Sequence, residues 1–234
     1  FSNYLVSGDG GDELFGGYVF RYSKFLSKIN SNSGVNDKIN AYLSCHERDY
    51  VPEQEQIFEK KIEFSWNDIY EKLRPFFDNS LSPLEQVFLA DYNGKLLYNF
   101  SIVNNTIANN FNIQSVTPLL SPEIIQKSMK IPSEQKYDAS SNIGKLPLRK
   151  ILSKYDLDDL ILKQKQGFSV DTENLWKNFG LSMTKNYLSD GKIIQDGWIK
   201  KDWIQSNLNN PNIDVRHINK LLGLLAFEIW YRTL

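Results

Sequence analysis

One cysteine, Cys45, and two histidines, His46 and His217, are the whole supply of thiol and imidazole groups in this chain. A single thiol makes no internal disulfide, and three such residues fall short of a Cys/His structural zinc set. A reducing cytoplasm is the simplest compartment for such a chain. An excess of charge is missing too: Lys and Arg number 27 against 28 acidic residues, a net charge of -1. There is then no general electrostatic pull toward nucleic acid or a membrane surface, and specificity has to sit in a local site. No apolar run approaches the roughly 18 to 20 residues of a membrane-spanning helix, and no basic leader precedes an apolar stretch. An initiator Met is also absent, which leads us to expect a piece of something longer. Asn99-Phe-Ser101 and Asn104-Asn-Thr106 have the glycosylation spacing, but such triplets are frequent by chance and nothing else points to secretion.

What is present suffices for a sizeable core. A 234-residue chain with 41% hydrophobic and 13% aromatic residues can fold as one large domain or two small ones. Tyr4-Leu-Val6 is short, apolar and bounded by Ser7-Gly-Asp-Gly-Gly11, which reads as a buried strand entering a glycine-rich turn. Beyond it, helix dominates. Ser82-Pro-Leu-Glu85 has an N-cap Ser, Pro at the first helical position and Glu at the third, ahead of Val87 and Phe88. Ser121-Pro-Glu-Ile124 repeats the Ser-Pro part, and Lys145 to Tyr155 and Thr172 to Leu188 carry apolar residues at helical spacing. Leu221 to Trp230 is apolar nearly all round and predicts an interior helix. Ser31-Asn-Ser-Gly34 and Asn209-Asn-Pro-Asn212 read as surface loops, and the aromatics around Phe64 to Trp66 and Trp198 to Trp203 as packing residues.

The chemistry concentrates in Ser7-Gly-Asp-Gly-Gly-Asp-Glu-Leu-Phe-Gly-Gly-Tyr18. Glycines let backbone approach a ligand closely, exposed N-H groups bind phosphate, and carboxylates hold a Mg2+ that neutralises phosphate charge. That combination suggests nucleotide handling. The plainer alternative is a tight turn in which Asp9, Asp12 and Glu13 are solvated or cap a helix, with Asp12 as N-cap of a helix carrying Phe15 and Tyr18.

The full twelve-residue string resembles the Ser-Gly-(Asp/Glu)-Gly-(Gly/Ser)-Asp-Glu-(Leu/Val)-Phe-Gly-Gly-Tyr segment of glutamine-hydrolysing asparagine synthetases. The likeness continues in Pro118-Leu-Leu120, Lys145-Leu-Pro-Leu-Arg149 and Lys163-Gln-Lys-Gln-Gly-Phe168, which are similar to further family segments in order and rough spacing. The resemblance implies a mainly α chain: the C-terminal helical part of an α/β PP-loop ATP pyrophosphatase synthetase domain, with about one parallel strand of its sheet at the N-terminus. It also implies a two-domain enzyme. A glutaminase domain releases ammonia, and the synthetase activates aspartate or a related carboxylate with ATP and Mg2+ as an acyl-adenylate.

By that resemblance Ser7, Gly8 and Gly10 contact ATP, Asp9 sits at the acidic position tied to adenylate formation, and Asp12 holds Mg2+ on pyrophosphate. Lys165 matches the lysine that meets negative charge on phosphate and on the later tetrahedral intermediate; its plain alternative is a surface lysine beside Lys163. Glu13 is expected to be structural, and Lys145 and Arg149, four apart on one helix face, to make salt bridges or meet a phosphate. His46 and His217 have no partner motif and are expected to be ordinary surface or buried histidines.

Two departures bear on function. Val103-Asn-Asn-Thr-Ile-Ala-Asn-Asn-Phe-Asn-Ile-Gln-Ser-Val-Thr117 has amides and hydroxyls where the family carries charge, so the acceptor is open between aspartate and another carboxylate. No Ser-Gly-Gly-x-Asp-Ser phosphate loop occurs between Phe1 and Leu234. The expectation is that it is supplied in the same polypeptide or by a separate subunit, and that this chain alone is inactive. A β-lactam-forming relative and a non-catalytic homologue stand as alternatives.

Overall fold

The computed structural model describes residues 3–161 and 170–234. In chain order the main elements are β1 (Tyr4–Val6), α1 (Gly11–Phe15), α2 (Val19–Lys28), α3 (Val35–Ser44), α4 (Trp66–Phe77), α5 (Pro83–Ala90), a π-helical stretch (Asp91–Phe100), α6 (Ser101–Asn110), β2 (Gln114–Val116), α7 (Pro122–Met129) and α8 (Leu146–Lys154). They continue with α9 (Thr172–Leu175), a short π stretch (Trp176–Gly180), α10 (Leu181–Leu188), α11 (Lys192–Gln195), α12 (Lys201–Leu208) and α13 (Val215–Tyr231). The chain is mainly helical, as expected, and no described helix is long and apolar enough to cross a membrane.

The described residues fall into two compact units, 3–42 with 73–161, and 43–72 with 170–234. In the first, β1 pairs in parallel with β2, Tyr4 opposite Gln114 and Val6 opposite Val116, and the Ser7 N-H extends the ladder by donating to the Val116 carbonyl at 3.0 Å. A parallel pair needs a long crossover, and α1, α2, α5, the π stretch and α6 lie within it. The sheet thus carries one strand more than expected. Gln114-Ser-Val116 lacks the apolar run that marks a buried strand, and its pairing comes from tertiary register. The expectation that β1 is buried is corrected: with only β2 beside it among the described strands, Tyr4, Leu5 and Val6 are 62%, 54% and 68% exposed.

The helix starts follow their sequence signals. The Glu85 carboxylate accepts from the Ser82 N-H at 2.9 Å, closing the capping box of α5, and the Ser121 hydroxyl accepts from the Ile124 N-H at the start of α7. The core of this unit is aromatic: Tyr22 packs edge-on against Phe88 and Tyr137, both at 5.2 Å between centroids. Beside it Arg21 and Asp91 form a fully buried two-point ion pair, at 3.1 and 2.7 Å, and the Tyr42 hydroxyl donates to the same carboxylate at 2.9 Å.

The second unit closes on α13, whose Ile218, Leu221, Leu224 and Leu225 pack with Trp203, Ile204, Leu188 and Ile193. The expectation that Leu221 to Trp230 is interior all round is corrected here: Ile229 and Trp230 face solvent, so α13 buries a stripe. Glu228 lies within that stripe and its carboxylate accepts from the Lys192 and Ile193 N-H groups, both at 2.9 Å, covering the start of α11. Burial pushes its pKa up, and the Ile193, Arg232 and Lys192 donors outweigh that and hold it below the usual range. At the start of α13, Asp214 accepts from the N-H groups of Arg216 and His217. The His217 ring sits between the Asp214 and Glu53 carboxylates and stacks on Trp203. His217 is therefore a paired group, which no motif in the sequence announced.

Candidate functional site

The site is built where β1 ends. After Val6 the chain turns through Ser7 to Gly10, with the Gly11 N-H donating to the Gly8 carbonyl at 3.1 Å, and α1 begins. Gly10 is the N-cap of α1 with φ 86°, a left-handed conformation that costs other residues, and a Cβ there would overlap the Leu120 side chain. Asp12 is thus inside the first turn of α1 and is not its N-cap, which removes the capping alternative for that residue. Tyr18 likewise lies beyond α1, directly before α2.

Gly16, at φ 74°, ends α1, and backbone contacts bring the start of α8 against it. The Lys145 N-H donates to the Phe15 carbonyl at 3.0 Å, and a Cβ on Gly144 would overlap the Gly16 carbonyl. Lys145 itself takes φ 58°, an uncommon conformation for a side-chain-bearing residue. That placement delivers its ammonium to Asp12, 3.1 Å from Oδ1. Arg149 on the same helix turns its Nε to the Gly144 carbonyl at 2.9 Å. Of the pair read from the sequence, Lys145 makes the salt bridge to the carboxylate of the motif.

Asp9 points elsewhere: its carboxylate accepts from the Asn104 side-chain amide of α6 at 3.0 Å. The Asn-rich helix that departs from the family pattern is therefore the wall beside Asp9, and nothing in the local sequence could foretell that contact. Two further observations lie at the head of the turn. Among the described residues the buried Ser7 hydroxyl oxygen has no hydrogen-bond partner, a costly state for a polar atom, and a Cβ on Gly8 would meet no described atom within 4 Å. Among the described residues no group of three or more His, Cys, Asp or Glu side chains could hold a metal by itself. Any Mg2+ at Asp12 would need further ligands, such as phosphate oxygens.

The structure thus brings Ser7, Gly8, Gly10 and Asp12 onto one turn, with Asp9 on the same turn facing Asn104, and adds Lys145 to them. Lys165 lies outside the described residues. Glu13, adjacent to Asp12, is buried and accepts from the Tyr18 hydroxyl; burial raises its pKa and the Tyr18 hydrogen bond opposes that rise.

The family model for asparagine synthase matches residues 2–232. No curated protein and no solved structure matches the chain.

Proposed function

Because this chain belongs to the asparagine synthase family, a family of ATP-dependent ligase-type synthetases, we propose that it forms part of a site that adenylates a carboxylate for attack by ammonia, with aspartate as the acceptor and asparagine as the product. The observation that carries this reading is the head of the turn, where the Ser7 hydroxyl is buried with no partner among the described residues, beside Gly8, whose flank is open to them. A nucleotide phosphate oxygen would accept from the Ser7 hydroxyl, and backbone without a Cβ lets it come close.

In this proposal Asp12 holds Mg2+ on the phosphates, and the metal neutralises charge on the departing pyrophosphate. Lys145 steadies the Asp12 carboxylate, and Lys165 supplies a fixed cation for the charge that develops in the transition state. Asp9, turned to α6, faces the acceptor side. The reading includes a phosphate loop outside residues 1–234, in the same polypeptide or in a subunit, and a glutaminase domain as the ammonia source. Without that loop one carboxylate and one lysine give weak binding, so this chain alone is inactive.

A specific observation favours a second acceptor. α6, Ser-Ile-Val-Asn-Asn-Thr-Ile-Ala-Asn-Asn, presents no ionisable side chain beside Asp9, which suits a carboxylate lacking the α-carboxylate and α-ammonium that aspartate carries besides its reacting group.

ATP-pyrophosphate exchange with the full-length protein and a panel of carboxylates tests both readings. Exchange with aspartate supports the first, and exchange only with other carboxylates supports the second. No exchange with any carboxylate removes the adenylation reading. Lys165→Ala is expected to abolish synthesis while leaving glutamine hydrolysis intact.

A further inference from the structure

Directly behind the turn lies a set of buried and half-buried polar groups to which the proposed function gives no role. Glu13 is 3% exposed and accepts from the Tyr18 hydroxyl. The Tyr18 ring has two cations over it, the Lys95 ammonium at 4.0 Å and the Arg21 guanidinium at 4.1 Å from the centroid. Arg21 is in turn fixed by its two-point pair with Asp91. Each link is chemically matched: a carboxylate accepts from a phenol, the phenol ring attracts cations, and one cation is held by a second carboxylate.

Burying such groups costs desolvation that apolar side chains of similar size would avoid. What the groups supply in exchange is a fixed geometry, and its location is informative. After Gly16 the chain reverses, so that the Gly17 N-H donates to the Asp12 carbonyl at 2.9 Å and the Tyr18 hydroxyl reaches the next residue, Glu13. Tyr18 thus ties the reversal back onto α1 one residue from the carboxylate that meets Lys145. Gly17 lies against that ion pair, since a Cβ there would overlap both the Asp12 carboxylate and the Lys145 side chain. A small rotation of α1 would move Asp12 off Lys145, and the Glu13 to Tyr18 contact opposes that rotation.

We propose that Glu13, acting through Tyr18, is a positioning residue that holds the Asp12 carboxylate in register with Lys145, and that Lys95 and Arg21 hold Tyr18 in place for it. The inference rests on the proposed function only where Asp12 is given its role toward Mg2+; the register itself is measurable without it.

The test uses Glu13→Ala, Glu13→Gln, Tyr18→Phe and the Glu13→Ala/Tyr18→Phe double variant in the full-length protein. Expected are a fall of about tenfold or more in the kcat of ATP-pyrophosphate exchange for Glu13→Ala and Tyr18→Phe, with KM for ATP within about twofold of wild type. Glu13→Gln, whose amide oxygen still accepts from Tyr18, recovers part of the loss. The double variant is no slower than the slower single, because the two residues act as one unit. Independent additive losses, or reduced thermal stability with kcat unchanged below the transition, overturn the proposal. Amide hydrogen exchange keeps the test separate from the catalytic reading. In Tyr18→Phe the amides of residues 10–17 are expected to exchange about tenfold faster or more while those of α5 do not change. Unchanged protection there overturns the inference even in an active enzyme. Loosened amides in a protein whose wild type shows no exchange activity uphold it and remove the proposed function instead.

Discussion

The Lys145 ammonium lies 3.1 Å from Asp12 Oδ1, on a residue that adopts a left-handed backbone conformation to put it there. Both side chains are partly exposed, so the pair contributes little to stability, about 0.2 to 1 kcal/mol. Its importance is placement of charge. Lys145→Met is expected to leave the urea midpoint almost unmoved and to lower ATP-pyrophosphate exchange by about tenfold or more. Wild-type exchange in that variant would reduce the pair to a surface contact.

Two glycines of the motif should respond oppositely to alanine. At Gly17 the new methyl would overlap Asp12 and Lys145, so Gly17→Ala is expected to lose about 1 to 3 kcal/mol and to disrupt the ion pair. At Gly8 the methyl meets no described atom within 4 Å. Gly8→Ala is therefore expected to fold with stability within about 0.5 kcal/mol of wild type and to bind ATP less tightly, as measured by calorimetry on the full-length protein. A stable Gly8→Ala with unaltered ATP affinity would place the nucleotide elsewhere.

The buried pair of Arg21 and Asp91 is expected to be expensive to break. Asp91→Asn leaves a guanidinium without its charge partner inside the protein, a loss of about 3 to 5 kcal/mol in chemical denaturation. A loss under about 1 kcal/mol would mean that water reaches the pair after the change.

The second unit has its own pH dependence, centred on His217. Burial lowers the imidazole pKa, but hydrogen bonds to Glu53 and Asp214 outweigh it, and the folded value is raised above 6.5. A raised folded pKa means that the stabilisation is complete below the unfolded value and is lost as pH climbs through the folded one. For Asp214, burial raises the pKa, while donors from Arg216 and His217 outweigh that and depress it. Its contribution is present above an unfolded value near 3.8 and is lost on acidification. Stability of this unit should thus be greatest between about pH 4 and 6.5. His217→Gln should abolish the decline on the alkaline side, as read by thermal unfolding across pH; a decline that persists assigns it to another group.

Legibility from sequence followed the range of the interactions. The α5 start was readable because Ser82, Pro83 and Glu85 act on each other within one turn. The strand and glycine-rich turn of the motif were readable for the same reason, but the strand is exposed where burial was expected, and the helix begins at a Gly10 cap and ends before Tyr18. β2 was not, because Gln114, Ser115 and Val116 are held by pairing with Tyr4 to Val6 across the whole helical crossover. Asn104 on Asp9, Lys145 on Asp12 and Glu53 on His217 are likewise contacts between distant segments. Of these only Lys145 left a trace, as half of a basic pair on one helix face. α13 shows the converse error, since apolar composition around a helix does not say that each face is covered.

Tyr4, Leu5 and Val6 carry a consequence for handling the protein at the bench. The described sheet has two strands, so each has an edge on which no described strand pairs, and the side chains of β1, which project to its two faces, are apolar and exposed. Two copies laid side by side there would satisfy backbone groups and hide greasy surface together. A net charge of -1 supplies almost no colloidal repulsion to keep them apart. A lysine placed within β1 is expected to weaken self-association of this chain, read by light scattering against concentration.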